Sequence, residues 1–301
     1  MSRKKFKGVG VTKGYRCFQV FNYLIMLCVC AVVILPLYYM VIVSISDGAA
    51  VMTGQVKLLP VGFSLRAYRA AMKDGYFLGS YWNTIAITVV GTIINLAMTM
   101  LCAYPLSRRT LPGRRGFTFL FTFTMYFGGG MIPAYLLVRS LHMLNTVWAL
   151  LVPGALSVYN MIIVKTYFQT SVPGELLESA QIDGCSDARY FRTILLPLSK
   201  PVLAVVTLYY AVGHWNSYFS AFLYLNNREL YPLQVFLREI LIVNSVDLEA
   251  ITDPETMAVR QNLADLLKYS LILVATVPML VVYPFVQKYF AKGVMLGSLK
   301  G

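Results

Sequence analysis

Six stretches of this chain carry no Asp, Glu, Lys or Arg: residues 17–46, 75–107, 116–138, 140–164, 201–227 and 269–287. The shortest has 19 residues and the longest 33, against the roughly 20 apolar residues a helix needs to cross a hydrocarbon core of about 30 Å. Each is dominated by Leu, Ile, Val, Phe, Met and Ala, without the alternation of a membrane barrel strand. Hydrocarbon offers no partner to an open strand edge, so helix is the spanning structure these runs dictate. The expected fold class is an all-α membrane protein with six transmembrane helices. The first run is too long for a signal-peptide core and no clear small-residue cleavage site follows it. It reads as a retained span, kinked at Pro36, and Gly128-Gly129-Gly130 with Pro133 is expected to break or closely pack the third run.

Charge sorts by side. The net charge is +13, yet only 13% of residues are charged and 58% are hydrophobic. A soluble domain carries about 25% charged residues. With the amino terminus inside, the inner segments hold seventeen Lys and Arg against four acids, and the outer segments nine against nine. The whole excess lies on one face, the positive-inside pattern of an even number of spans with both termini cytoplasmic. The basic patches then face lipid headgroups, and no nucleic-acid partner is called for. The expected localisation is the cell (plasma) membrane, multi-pass.

Catalytic and metal chemistry find no foothold. Cys17, Cys28, Cys30, Cys102 and Cys185 form no CxxC pair, and His142 and His214 are far apart in sequence, so no metal-ligand cluster starts. No phosphate-cradling GxxxxGK[ST] loop, GxSxG elbow, HExxH or kinase signature occurs. The one ionisable residue inside a span is His214, whereas a proton-driven transporter places such groups in the membrane. No catalytic residue is assigned, and any energy source is borrowed from another subunit.

Three polar segments remain. Outer segment 47–74 starts as loop, with Ser64 placed to cap a short helix over 65–73. Outer segment 228–268 carries seven of the thirteen acids behind an apolar patch from Leu230 to Val246, and a helix is expected after Pro254. Inner segment 165–200 holds a helix–turn–helix. Pro173 suits a first helical turn, and Glu175 and Glu178 sit where the helix dipole favours anions. Leu176, Leu177, Ala180 and Ile182 give the first helix an apolar side, and Gly184 is free to take positive φ. Ser186 or Asp187 caps a second helix, and Pro197 and Pro201 mark entry to the fifth span.

Glu178-Ser179-Ala180, Gly184 and Ile194-Leu195-Leu196-Pro197 resemble the EAA loop of ABC importer permeases, at that family's spacing. Ser179 departs from the usual Ala but is still small. Asn83-Thr84, Tyr135 to Arg139, Leu144-Asn145-Thr146, His214-Trp215-Asn216 and the ending Gly293 to Gly301 are similar to carbohydrate-uptake permeases related to the maltose transporter's G subunit. Leu230 to Gln234, followed by Leu237-Arg238-Glu239-Ile240, is similar to the LplC-like oligosaccharide branch.

The resemblance implies a MetI-like ABC importer permease fold. Residues 1–76 would be tail, first span and outer linker; 77–290 the permease domain, with its coupling loop at 171–201; and 291–301 a cytoplasmic tail that also touches the ATPase. It implies a second permease forming a heterodimer, an ABC ATPase dimer, an extracellular solute-binding protein and a carbohydrate substrate. ATP and Mg would be bound by the ATPase, with no cofactor in this chain. Glu178, Ser179, Ala180, Asp183 and Gly184 would form the coupling turn, with Ile194, Leu196 and Pro197 setting its angle to the fifth span.

Residues for the sugar path are Tyr210, His214 and Tyr218, spaced to share one helix side, with Trp215 and Asn216 beside them and Asn83 and Asn95 in the second span. Aromatic faces and amides suit sugar rings; equally, they suit a headgroup belt or a packed helix interface. A stand-alone secondary transporter is the alternative, but it leaves the EAA-like loop unexplained and lacks intramembrane charges.

Overall fold

The computed structural model describes residues 13–247, 262 and 264–284. The helix expected between Pro254 and 261, and the tail over 291–301 with its ending Gly293 to Gly301, lie outside the described residues. Among those described there is helix and no strand. They fall into two compact units, one holding residues up to Tyr68 with those to Leu273, the other Arg69–Ile251 and the residues from Val274.

In the first unit, α1 (Lys13–Ser44) runs unbroken through Pro36 and leaves nearly its whole length exposed, as a helix solvated by lipid does. Its last residues, Ile42 and Val43, pack with Ala50, Val56, Ala67 and Leu266. Segment 47–74 is more ordered than its glycines suggested. Asp47 accepts a hydrogen bond from the Ala49 N–H and starts α2 (Gly48–Met52). Ser64 accepts from the Arg66 N–H at the start of α3 (Arg66–Lys73), as expected. An Asp before a short apolar run was a legible cap signal.

The second unit is built on α4 (Phe77–Ser107), α8 (Val158–Thr170) and α12 (Lys200–Trp215). The buried face of α4 includes Ser80, Thr84, Gly91, Thr92, Asn95, Thr99 and Ala103, at helical spacing. Small residues let backbones approach where lipid supplies no hydrophobic driving force between helices. Gly91 shows how close: a Cβ there would lie 2.5 Å from His214 Nε2 on α12.

The expected spans are more broken than the charge-free runs implied. Only α1, α4 and α15 (Ala264–Pro284) are single helices long and apolar enough to cross a membrane, among the described residues. The run 116–138 breaks at Gly128-Gly129-Gly130, as expected, into α5 (Arg114–Tyr126) and α6 (Met131–Ser140), bent by 111°, with Gly130 at φ +86°. The run 140–164 is likewise not continuous. His142 and Asn145 adopt positive φ, α7 (Trp148–Leu151) is four residues long, and Pro153-Gly154 separates it from α8. Pro153 has no N–H to continue a helix. In 201–227, α12 stops at Trp215 and α13 (Phe219–Tyr224) follows.

A broken helix inside a membrane strands backbone groups, and polar side chains of α4 and α12 collect them. Asn95 Nδ2 donates to the Gly154 carbonyl at 2.5 Å. Its Oδ1 therefore accepts, so His214 Nε2, 2.6 Å away, carries the hydrogen. Tyr210 accepts the Ser157 N–H at 3.2 Å and shares a 2.7 Å bond with Thr99 Oγ1. The break between α7 and α8 is thus stitched to the two helices beside it.

Two substitutions check this packing. Gly91→Val is expected to lower the melting temperature of the detergent-purified chain by several degrees, a cost of about 1–3 kcal/mol from overpacking. Gly79→Ala, with nothing within 4 Å of its Cβ, should leave it unchanged. Asn95→Leu should cost about 1–3 kcal/mol by orphaning the Gly154 carbonyl and the His214 donor; an unchanged melting temperature would contradict the stitching.

Candidate functional site: the turn at Gly184 and the polar residues of the bundle

The motif-bearing segment folds as two short helices around a closed turn. The first, α9 (Glu175–Ile182), carries Glu175 and Glu178 in its first turn. It ends at Asp183, and Gly184 follows with φ +71°. The Cys185 N–H donates to the Ala180 carbonyl at 2.8 Å and the Gly184 N–H to the Gln181 carbonyl at 3.0 Å. This pair of bonds is the Schellman closure, which needs a residue in the left-handed region at this point. Glycine takes that conformation without the steric cost that other residues meet. Ser186 then caps the next helix, accepting from the Arg189 N–H, so of the two expected caps it is Ser186 that acts.

From there the chain runs as α10 (Asp187–Tyr190), a π-helical turn over Phe191–Leu195 and α11 (Leu196–Leu198), then bends 82° into α12. The bend has a local cause. Pro197 and Pro201 remove the amides that would bond Thr193 and Pro197 in a continuous helix. Ser199 sits fully buried at the corner, and its N–H bridges the Leu195 and Leu196 carbonyls.

Burial separates two faces of the turn. Ala180 is buried in a cluster with Phe168, Val172, Tyr190, Leu195 and Val202, and Leu177 and Ile194 pack against it. Glu178, Ser179, Asp183, Gly184 and Pro197 are exposed, and Leu196 is half-buried. One expectation is corrected: Ile182 does not share the apolar side of α9 and is 87% exposed. Two residues of helix separate it from Ala180, a rotation of about 200°, which turns it away. That arithmetic was available in the sequence.

The path candidates divide. Asn95, Tyr210 and His214 come together in the stitching of α4, α8 and α12. Trp215 is buried, with Nε1 donating to the Ala275 carbonyl at 3.0 Å and its ring edge-on to Tyr81. Tyr218 does not continue the side formed by Tyr210 and His214, because α12 ends before it; it is exposed and contacts Phe219 and Phe222. Asn216 is exposed, its amide turned back to the Val212 carbonyl.

Asn83 serves the outer segment instead. Its Nδ2 donates to the carbonyls of Glu229 (2.6 Å) and Tyr231 (3.3 Å). Thr84 accepts the Leu233 N–H at 2.7 Å at the start of α14 (Leu233–Asp247). Asn145, held at φ +59°, accepts the N–H groups of Asn226 and Asn227. The Asn83-Thr84 and Leu144-Asn145-Thr146 motifs are therefore anchors for the segment after residue 225.

Comparison with known proteins gives a consistent result. No family model matches the chain. It is 45% identical over 290 residues to protein LplC of Bacillus subtilis (strain 168), covering 96% of this chain and 97% of that protein. It is 42% identical over 286 residues to the polygalacturonan/rhamnogalacturonan transport system permease protein YtcP of the same organism, covering 95% and 99%. Its fold matches a chain of a bacterial ABC transporter that imports the acidic polysaccharide alginate, with a TM-score of 0.84 and 34% identity over 93% of this chain and 98% of that one. YtcP is named as a transport-system permease and the solved neighbour as an ABC transporter, and neither supports a stand-alone secondary transporter. An all-helical membrane chain with this turn and these relatives belongs to the carbohydrate-uptake permeases of ABC importers.

Proposed function

We propose that this chain forms one half of the translocation channel of an ATP-driven importer of oligosaccharides, and that its cytosolic turn receives the motion of a separate ATPase dimer. The observation that carries the reading is the closed turn at Gly184. It leaves Glu178, Ser179 and Asp183 exposed and pins Ala180 into the bundle. A rigid lever with one wet face and one buried face is what nucleotide-driven closure needs in order to move a packed helix pair. Ile194, Leu196 and Pro197 set the lever's angle to α12.

In this reading the chain crosses a bacterial plasma membrane six times with both termini inside. The spans are α1, α4, the bent α5–α6, the broken stretch containing α7 and α8, α12 with α13, and α15. Residues 77–290 are the permease domain. A second permease completes the channel, and a solute-binding protein docks on the outer face, where the segment after residue 225 is anchored. ATP and Mg belong to the ATPase, and this chain holds no cofactor. The names of two relatives, one for polygalacturonan and rhamnogalacturonan and one for alginate, favour an acidic glycan fragment as cargo. Asn216 and Tyr218, the path candidates left exposed, are the ones free to meet a sugar.

Two experiments test the reading. Gly184→Pro cannot adopt φ +71° and deletes the N–H bonded to Gln181. It is expected to abolish sugar-stimulated ATP hydrolysis by the assembled complex while leaving the chain inserted; normal uptake would refute the lever. A membrane-impermeant maleimide applied to intact cells should label a single cysteine placed at Lys57 and spare a chain whose only cysteine is Cys185. Labelling of Cys185 from outside would overturn the orientation and the coupling role together.

A further inference from the structure

Arg108 belongs by position to the topology-setting charges, together with Arg109, Arg114 and Arg115. A charge with that task alone stays in water or among headgroups, as the exposed Arg109 does. Arg108 does not. Its Cζ lies 4.5 Å from the ring centroid of Tyr104 and 4.9 Å from that of Tyr190, and its Nε and Nη2 are shielded from solvent without a hydrogen-bond partner. The guanidinium has exchanged hydration for two aromatic faces, an arrangement a planar delocalised cation sustains and a compact ammonium does not.

The two rings belong to different mechanical parts. Tyr104 is on the last turns of α4, and Arg108 itself caps that helix, its N–H donating to the Pro105 carbonyl. Tyr190, 1% exposed, ends α10 in the coupling turn. Tyr104 also packs against Phe191, ring centroids 5.1 Å apart and tilted by 60°, and donates a long 3.3 Å hydrogen bond to Asp187, both in the same segment as Tyr190. The adjoining Ser107 carbonyl accepts from Gln169 of α8, so the base of the arginine is held from behind.

We propose that Arg108 is a positioning residue that makes the cytosolic end of α4 follow the coupling turn. The stack Tyr104–Arg108–Tyr190 joins the lever to the end of α4 itself, in addition to the packing of α12 against that helix. Because α4 also carries Asn83 and Thr84, which hold the outer segment, this joint gives the lever a second route across the membrane. The proposal rests on the importer reading and adds a residue outside the EAA-like motif.

The test keeps charge and changes shape. In a chain whose five cysteines are replaced by Ser, a reporter cysteine at Trp82, an exposed position near the outer end of α4, is labelled with maleimide in membranes containing the full permease–ATPase complex. ATP with vanadate is expected to change the labelling rate in the parent. Arg109→Lys, which leaves the stack intact, should respond like the parent. Arg108→Lys keeps the positive-inside charge but loses the planar contact, and its response should fall about fivefold while the ATPase still co-purifies and hydrolyses ATP without sugar. A full response by Arg108→Lys, or loss of the ATPase from that variant, would overturn the positioning role. A parent chain that holds no ATPase would refute the importer reading, and Arg108's role with it.

Discussion

Hydrocarbon supplies no hydrogen-bond partner, and that constraint decides where polar residues can sit in this chain. The spans are interrupted at Gly128-Gly129-Gly130, at Pro153-Gly154 and after Trp215. An interruption strands carbonyl and amide groups at a depth where water cannot collect them. The side chains of α4 and α12 answer this need. Asn95 takes the Gly154 carbonyl, Tyr210 takes the Ser157 amide, and His214 completes the set by donating to Asn95. Small residues along α4, Gly91 above all, let those groups reach one another.

The same accounting governs the turn at Gly184, with the opposite consequence. Its outer face is exposed, yet the chain closes its own helix end across Gly184 and buries Ala180. An open helix end would flex, whereas this one is closed and its far arm bends at two prolines into α12. In the proposed mechanism, that closure lets a displacement of the elbow become a displacement of the bundle, since packed interfaces switch between discrete arrangements and do not deform smoothly.

Much of this was legible in the residues. The charge-free runs 17–46, 75–107 and 269–287 fell on α1, α4 and α15, the described single helices long and apolar enough to span, and Gly184 stood where a turn needs positive φ. What the runs concealed was continuity. Absence of charge says that a stretch tolerates lipid, not that its helix is unbroken; Gly128-Gly129-Gly130 marked the break in 116–138, but 140–164 read as a rod until His142 and Asn145 took their backbone angles. The polar residues of the bundle were visible, but their partners were not. The carbonyl that Asn95 serves is 59 residues away, on a break that the charge pattern did not mark. Tyr218 failed for a simpler reason, because i, i+4 spacing holds only while the helix lasts. Arg108 looked like any inner-face cation, and only the approach of Tyr190 from another segment distinguished it.

The central claim is that the exposed face of α9 seats against an ATPase. Ile182, apolar and 87% exposed beside the closed turn, is the natural reporter. A photo-crosslinking amino acid placed there, activated in membranes containing the assembled transporter, is expected to capture the ATPase subunit, with the yield changing when ATP is added. Capture of lipid alone, or of an extracellular protein, would contradict the account.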